Sequence, residues 1–182
     1  MNKIPLLISI IFTLVLTPNI AYSAIWEKTE HGVTFSLKQL YPDQVNAFYI
    51  GRGFTKEQIT PYVEKCVYTA ILRNDTAVGR IHFLRKNWKI KNNDKEQNIK
   101  ENSVWLNLFK SEEVKPSALI AFRLAQIPEE QEYDPNGDWN QGMLSIDIPI
   151  GSIFDITIDW DIKGSPYELK LKGVHCAEKS TD

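Results

Sequence analysis

Alternating apolar and polar residues in the C-terminal third give the clearest pattern in this chain. In IFDITIDWDI (Ile153–Ile162), an apolar residue occupies every second position from Phe154 onward, with Asp or Thr between. Residues 167–172, YELKLK, continue the alternation, and Gly173 favours a bulge just after them. Side chains two apart on a strand share a face, so this period predicts strands with one buried and one solvent-exposed face.

Shorter apolar runs predict further strands along the chain. These runs are GVTFSLKQL, CVYTAILRN, GRIHFLRKNWKI, SVWLNLF and MLSIDIPIG. SALIAFRLAQI, which follows Pro116, is consistent with either a strand or a short helix. Many short strands at a spacing of about ten residues predict a mainly β fold, an immunoglobulin-like antiparallel β-sandwich.

A short helical insertion near the N-terminus, over about residues 42–65, interrupts this pattern. Pro42 is suited to the first position of a helix. Thr55 and Gln58 have the spacing of a capping box, which predicts the start of a second helix. Pro61 indicates that this helix either kinks or restarts there. We expect two short helices that pack on the edge of the sheet.

Residues 91–102, KNNDKEQNIKEN, carry hardly any apolar side chain. A segment of this composition cannot bury much surface, so it is predicted to be a mobile surface loop. Such a loop could also serve in docking to a partner.

The first 23 residues have the pattern of a signal peptide. Lys3 supplies a positive charge, a short apolar run follows, and Ala21 and Ser23 provide small residues before a cleavage site. The alternative is a membrane anchor, but the apolar run is shorter than the roughly 20 residues that span a bilayer. We therefore predict a mature chain of residues 24–182 with one domain and no membrane span after cleavage.

The charge and the motifs of the chain restrict its function. A formal net charge of −2 argues against nucleic acid as a partner, because that partner favours clustered Lys and Arg. The sequence has no nucleophile elbow, phosphate loop or zinc-ligand spacing. These features predict a protein that is not an enzyme and needs no cofactor.

Two cysteines, Cys66 and Cys176, are predicted to form a disulfide. A metal site or two free thiols are the alternatives. A bond that closes a loop of about a hundred residues contributes ~4–5 kcal/mol in the chain-entropy model. With the N-terminal signal, it predicts a periplasmic or secreted protein.

Residues 133–143, YDPNGDWNQGM, raise the possibility of a calcium site. Four oxygen-bearing side chains occupy alternate positions: Asp134, Asn136, Asp138 and Asn140. An EF-hand-like loop uses such positions, but it needs Gly where this chain has Trp139 and an acidic residue where it has Ser145. Pro135 and the Asn-Gly pair favour the alternative, the polar tip of a β-hairpin. Calcium is thus possible, and Trp139 offers a ring for a carbohydrate.

Asp155, Asp159 and Asp161 form a ladder on one predicted strand face. Carboxylates about 6.8 Å apart on a strand can act as an acid–base pair when they line a cleft. The alternative is ordinary charge pairing on a solvated face with Lys170 or Lys172 of the next strand.

These observations favour an exported, non-enzymatic accessory or adaptor protein with a protein-binding surface. Its partner is expected to be another exported or membrane protein. The helical insertion and the polar segment 91–102 are the expected binding regions. The alternative is a calcium- or carbohydrate-binding module that uses the 133–143 loop.

Overall fold

A computed structural model describes residues 24–176, which form ten strands and four α-helices. The strands are β1 (Ile25–Glu30), β2 (Val33–Gln39), β3 (Cys66–Asn74), β4 (Ile81–Leu84), β5 (Lys89–Asn92), β6 (Lys95–Asn98), β7 (Glu130–Tyr133), β8 (Asp138–Ile146), β9 (Ile153–Ile162) and β10 (Ser165–His175). The helices are α1 (Pro42–Ile50), α2 (Lys56–Val63), α3 (Asn102–Ser111) and α4 (Pro116–Ala125). The predicted signal peptide lies outside the described residues.

The strands form two antiparallel sheets. Sheet A has the order β1-β2-β3-β8, so β1 and β8 are its edges. In sheet B, β9 pairs with β10 on one side and with both β4 and β5 on the other. β7 then pairs with the free side of β4, and β6 with the free side of β5. The prediction of a mainly β fold with antiparallel sheets is therefore confirmed.

The two sheets share one apolar core. Phe35 of sheet A packs edge-on against Trp88, with ring centroids 5.4 Å apart, and Tyr68 packs against Phe154 in the same way. The alternation predicted for residues 153–162 is confirmed, because Phe154 and every second residue after it are buried here. The register of β10 on β9 shifts between Leu171 and Val174, where Gly173 has a φ of 65°. The predicted bulge is therefore present.

The disulfide between Cys66 and Cys176 is confirmed, with a Cα–Cα distance of 5.4 Å. Cys66 begins β3 of sheet A, and Cys176 follows the last residue of β10 in sheet B. The bond therefore ties the two sheets together at the base of the core. A disulfide of this kind is typical of proteins that fold in an oxidising compartment.

Helices α1 and α2 lie within the predicted range 42–65. Pro42 occupies the first turn of α1, and Thr55 caps α2 with the predicted reciprocal hydrogen bonds to Gln58. Pro61 lies inside α2, which continues to Val63. We expected these helices to pack on the edge of the sheet. They pack instead on the outer face of sheet A.

The prediction of a strand for SVWLNLF is wrong, because these residues lie in α3. The apolar run suggested a strand, yet Val104 is 49% exposed. The buried side chains are Trp105 and Phe109, which are four residues apart and so share one face of a helix. SALIAFRLAQI lies in the helix α4 as far as Ala125, with Ala118 and Phe122 buried.

The four helices form a layer on the outer face of sheet A. Their buried side chains make a second core together with Val67 of β3 and Met143 of β8, which point away from the first core. The other apolar members are Val45, Tyr49, Phe54, Ile59, Tyr62, Val63, Trp105, Phe109, Val114, Ala118 and Phe122. The molecule thus has three layers: sheet B, sheet A and helices.

The prediction of a loop for residues 91–102 is also wrong. β5 and β6 form an antiparallel hairpin here, with Lys91 opposite Glu96 and the turn at Asn93, whose φ is 52°. All four side chains of β6 are exposed, so this strand leaves no apolar signal in the sequence. The hairpin is held by its backbone ladder, by the Lys89–Glu96 ion pair and by Ile90 of β5, which is buried in the first core.

Candidate functional site

A groove lies where the helical layer ends on sheet A. It encloses about 450 Å³ between α1, the end of α4 and the outer faces of β3 and β8. Its lining is uncharged and mostly apolar: Leu40, Gln44, Phe48, Thr69, Leu124, Ala125, Gln141, Gly142 and Met143. A concave, largely apolar surface with a few polar groups is typical of binding sites.

Leu124 forms one wall of the groove and is 73% exposed. It belongs to α4, whose Ala118 and Phe122 face the helical core. Ile120, one turn before Leu124, is exposed as well. Because α4 is apolar on both its buried and its open side, it presents more apolar surface than packing within this chain requires.

A buried polar network holds the walls of the groove in place. The amide nitrogen of Gln126 donates to the Tyr49 hydroxyl at 2.7 Å, and the Tyr62 hydroxyl donates to the Gln126 carbonyl oxygen at 3.0 Å. The Tyr49 hydroxyl donates to the sulfur of Met143 at 3.3 Å. Burial raises the pKa of both tyrosines, so they stay neutral donors. The network links α1, α2, the end of α4 and β8.

β8 presents a free edge beside the groove. The carbonyl of Met143 accepts a hydrogen bond from the Ile127 N–H on the side away from β3. Main-chain groups two apart on a strand point to the same side, so those of Gln141 and Trp139 also face away from β3. Within residues 24–176, no strand pairs with this edge.

The uncovered part of the outer face of sheet A continues from the groove floor. The register places Ile71 opposite Gln141, and Arg73 opposite Trp139. Ile71 is half-buried, and Trp139 is 50% exposed. The groove and this strip of sheet form one continuous surface.

Two cations flank the groove. Lys38 of β2 lies opposite Thr69, a floor residue, and its side chain is exposed. Arg52 places its guanidinium 3.4 Å from the ring centroid of Phe48, another lining residue. Over residues 24–176, neither cation takes part in an ion pair.

The segment predicted as a calcium loop connects the two sheets. Asp134 to Gly137 join β7 of sheet B to β8 of sheet A, so the hairpin prediction is wrong, although the turn itself is present. Asn136 and Gly137 adopt φ values of 81° and 94°, which explains the Asn-Gly pair.

The side chains of this connection have partners within the chain. Asp134 forms an ion pair with Arg80 at 2.7 Å, and the Asp138 carboxylate accepts from the Asp134 N–H at 3.0 Å. Among residues 24–176, no three His, Cys, Asp or Glu side chains are grouped to hold a metal ion. The calcium site predicted for Asp134, Asn136, Asp138 and Asn140 therefore stays a prediction.

Asp155, Asp159 and Asp161 lie on the outer face of sheet B, and each has a different partner. Asp155 pairs with Lys170 at 3.2 Å, as the charge-pairing alternative predicts. Asp159 accepts from the Asn87 amide at 3.2 Å, and burial raises its pKa.

Asp161 contacts His82, which lies between two carboxylates. One ring nitrogen of His82 is 2.8 Å from Glu130, and the other is 3.1 Å from Asp161. The hydrogen bond to Glu130, and then that to Asp161, raise the pKa of His82. These contacts hold β7, β4 and β9 together across the face.

The sequence predicted partner faces at residues 42–65 and 91–102 but missed most of the groove, to which residues 91–102 contribute no side chain. α1 supplies Gln44 and Phe48, whereas Leu124, Thr69 and Met143 come from elements far away in the sequence. The available signal was the composition of PSALIAFRLA, which has more apolar residues than one buried face of a helix can use.

Comparison with protein-family models, with curated proteins and with solved structures finds no match to this chain. No helix among residues 24–176 is long and apolar enough to cross a membrane.

Proposed function

We propose that this protein is an exported, non-enzymatic accessory or adaptor that binds another exported or membrane protein through the groove. The observation that carries the proposal is the groove itself, a mostly apolar surface with Leu124 exposed at its side. Protein interfaces bury apolar anchors in such surfaces and surround them with polar groups.

Export is part of the proposal. The disulfide supports an oxidising compartment, and the predicted signal peptide supports a periplasmic or secreted location. The immunoglobulin-like type of the two-sheet core belongs to the same proposal. Its support is the pair of antiparallel sheets that face each other across one core.

Site-specific photo-crosslinking in living cells tests the adaptor proposal. A photoreactive amino acid at position 124 is expected to give a discrete crosslinked species with another exported protein. Position 78 is the matched control, because Val78 is 88% exposed and apolar but lies in the loop after β3. Absence of a crosslink from position 124, or the same species from both positions, would contradict the proposal.

The exposed ring of Trp139 favours a second candidate, a calcium- or carbohydrate-binding module at the 133–143 loop. A ligand present at a hundred times its dissociation constant stabilises the folded state by about 2.7 kcal/mol. If the loop binds calcium, the melting temperature of the wild type is higher in excess calcium than with chelator. The double variant Asp134→Asn with Asp138→Asn then melts at the same temperature in excess calcium and with chelator.

If the loop binds carbohydrate, an oligosaccharide array binds the wild type and not Trp139→Ala.

A further inference from the structure

One side of α4 carries two large apolar side chains that stay mostly exposed. Ile120 is 51% exposed and Leu124 is 73% exposed, and the two lie one turn apart. α1 and α3 each expose a single large apolar side chain, Ile50 and Val104. Single exposed apolar residues are normal on a protein surface, whereas an apolar patch on one side of a helix indicates contact with another molecule.

Small and large side chains alternate along this side of α4. Four residues spaced three or four apart form a stripe on the open side of the helix, the α4 stripe: Ser117, Ile120, Ala121 and Leu124. Ala118 and Phe122 point the other way, into the helical core. None of the four stripe residues carries a charge, so the stripe can be buried against another apolar surface without leaving a charge unpaired.

The α4 stripe is complementary to itself when two copies of α4 run antiparallel. A two-fold axis between positions 120 and 121 places Leu124 of one copy opposite Ser117 of the other, and Ile120 opposite Ala121. Each large side chain then faces a small one, which allows the two helices to interdigitate. A parallel pair would instead set Leu124 against Leu124 and Ile120 against Ile120.

The charges at the two ends of α4 favour the same orientation. Arg123 lies in the last turn of α4, and Glu112 and Glu113 precede the helix. Over residues 24–176, none of these three takes part in an ion pair. An antiparallel pair brings the Arg123 end of one helix towards the glutamates of the other, where Lys115 offsets only one of the two negative charges. A parallel pair would set Arg123 beside Arg123.

A contact at the α4 stripe also reaches the groove, because Leu124 belongs both to the stripe and to the groove wall. A second copy seated on the stripe therefore stands at the mouth of the groove. A helix of ten residues is only about 15 Å long, so the contact falls below the roughly 1,200 Å² of a stable complex. Contacts of this size are typical of transient association.

We propose that this protein forms a transient two-fold dimer through antiparallel packing of α4, in which the α4 stripe of each copy covers that of the other. The interface is isologous, since the same residues are used by both copies. Because the dimer stands at the mouth of the groove, self-association and binding of a partner protein exclude each other. The inference goes beyond the adaptor function and does not depend on it.

Sedimentation equilibrium of the purified protein over a hundredfold range of concentration tests for the dimer. The wild type is expected to shift from the mass of one copy to that of two, and Ile120→Glu to stay at one. Val104→Glu is the matched control, because it makes the same change at a side chain of nearly equal exposure, 49%, on α3. A wild type that stays monomeric throughout, or equal effects of the two variants, would overturn the inference.

Disulfide trapping tests the antiparallel register. The two native cysteines are bonded to each other, so an introduced cysteine is the one free thiol. Ser117→Cys mixed with Leu124→Cys is expected to give a disulfide-linked pair on mild oxidation, and either variant alone is not, since like positions lie about 10 Å apart along the axis. Val78→Cys mixed with Leu124→Cys reports random collision. Linkage of either variant to itself, or linkage no faster than in this control, would reject the arrangement.

The two proposals can fail separately, because Ile120 is not part of the groove lining. In the photo-crosslinking experiment, Ile120→Glu is expected to abolish a species made of two copies of this chain and to keep the one with another exported protein. A dimer without a crosslink to another protein would reject the adaptor function and keep the dimer. A crosslink to another protein from a chain that stays monomeric would do the reverse.

Discussion

The outer faces of the two sheets differ, although both consist of strands whose side chains alternate between two faces. On sheet B, the outward side chains are charged and largely satisfied by one another, as in the pairs Asp155–Lys170 and Lys89–Glu96. On sheet A, the outward face carries a layer of helices and, beside it, apolar groups such as Leu124 and Trp139 that are left exposed. The outward side chains of sheet B find most of their partners within the chain, whereas the outer face of sheet A leaves apolar surface exposed.

The difference shows how the chemistry of the outward positions determines the surroundings of a sheet. Cross-strand charge pairs satisfy sheet B without a covering layer, and each is worth little because water screens it. Outward Val67 and Met143 on sheet A must instead be covered by the helices. We therefore expect function on sheet A and solvation on sheet B.

Breaking the disulfide should have the largest effect, because it joins the two sheets that carry these faces. Cys66→Ser with Cys176→Ser is expected to lower the free energy of unfolding by about 4–5 kcal/mol, since the loop between the cysteines is long. Urea unfolding of the variant and the oxidised wild type measures the difference. The reduced wild type is the control and should match the variant. A loss below about 1 kcal/mol would show that the sheets do not depend on the bond.

Truncation inside the helical layer should have the next largest effect. Phe122 is fully buried among aromatic rings, with Phe109 at a centroid distance of 4.9 Å. Phe122→Ala is expected to cost about 3–5 kcal/mol, through lost burial and the cavity that remains.

The matched control lies two residues further along the same helix. Leu124→Ala removes a mostly exposed side chain and should change the free energy of unfolding by less than about 0.5 kcal/mol. Comparable losses for the two variants in urea unfolding would show that Leu124 is a stability residue and would weaken its assignment to binding.

The smallest expected effect is a pH dependence on the outer face of sheet B. The pKa of His82 in the folded protein is raised above 6.5 by its hydrogen bonds to Glu130 and Asp161. Its contribution to stability is therefore fully present below about pH 6.5 and is lost as the pH rises through the folded-state pKa. Melting temperatures from pH 6 to pH 8 should decline more steeply for the wild type than for His82→Gln.

His31→Asn serves as the control for this slope, because His31 has a φ of 51° that Asn tolerates and it lies against Tyr167, away from the two carboxylates. It should keep the wild-type decline. A His82→Gln variant with the same pH profile as the wild type would show that solvent screens these contacts fully.

Local patterns in the sequence predicted the elements in which one face is buried and the other is polar. The period-two run of residues 153–162, the capping box at Thr55 and the disulfide were all predictable, because each depends on near neighbours or on residue type alone. α3 was mistaken for a strand because SVWLNLF was taken as an apolar run, without regard to the four-residue spacing of Trp105 and Phe109. The β5–β6 hairpin could not be predicted, since Ile90 is the one buried side chain of its two strands and the exposed β6 is held by backbone pairing.

The sequence by itself determined the mainly β character, the disulfide and the solvated face of β9. Only the tertiary structure decided where the helices pack, which strand has a free edge, and that Phe48, Thr69 and Leu124 line one groove. The physical reason is the distance along the sequence over which each effect acts. Periodicity and capping involve residues a few positions apart. A groove depends on which elements, far apart in the sequence, pack together and which surface they leave uncovered.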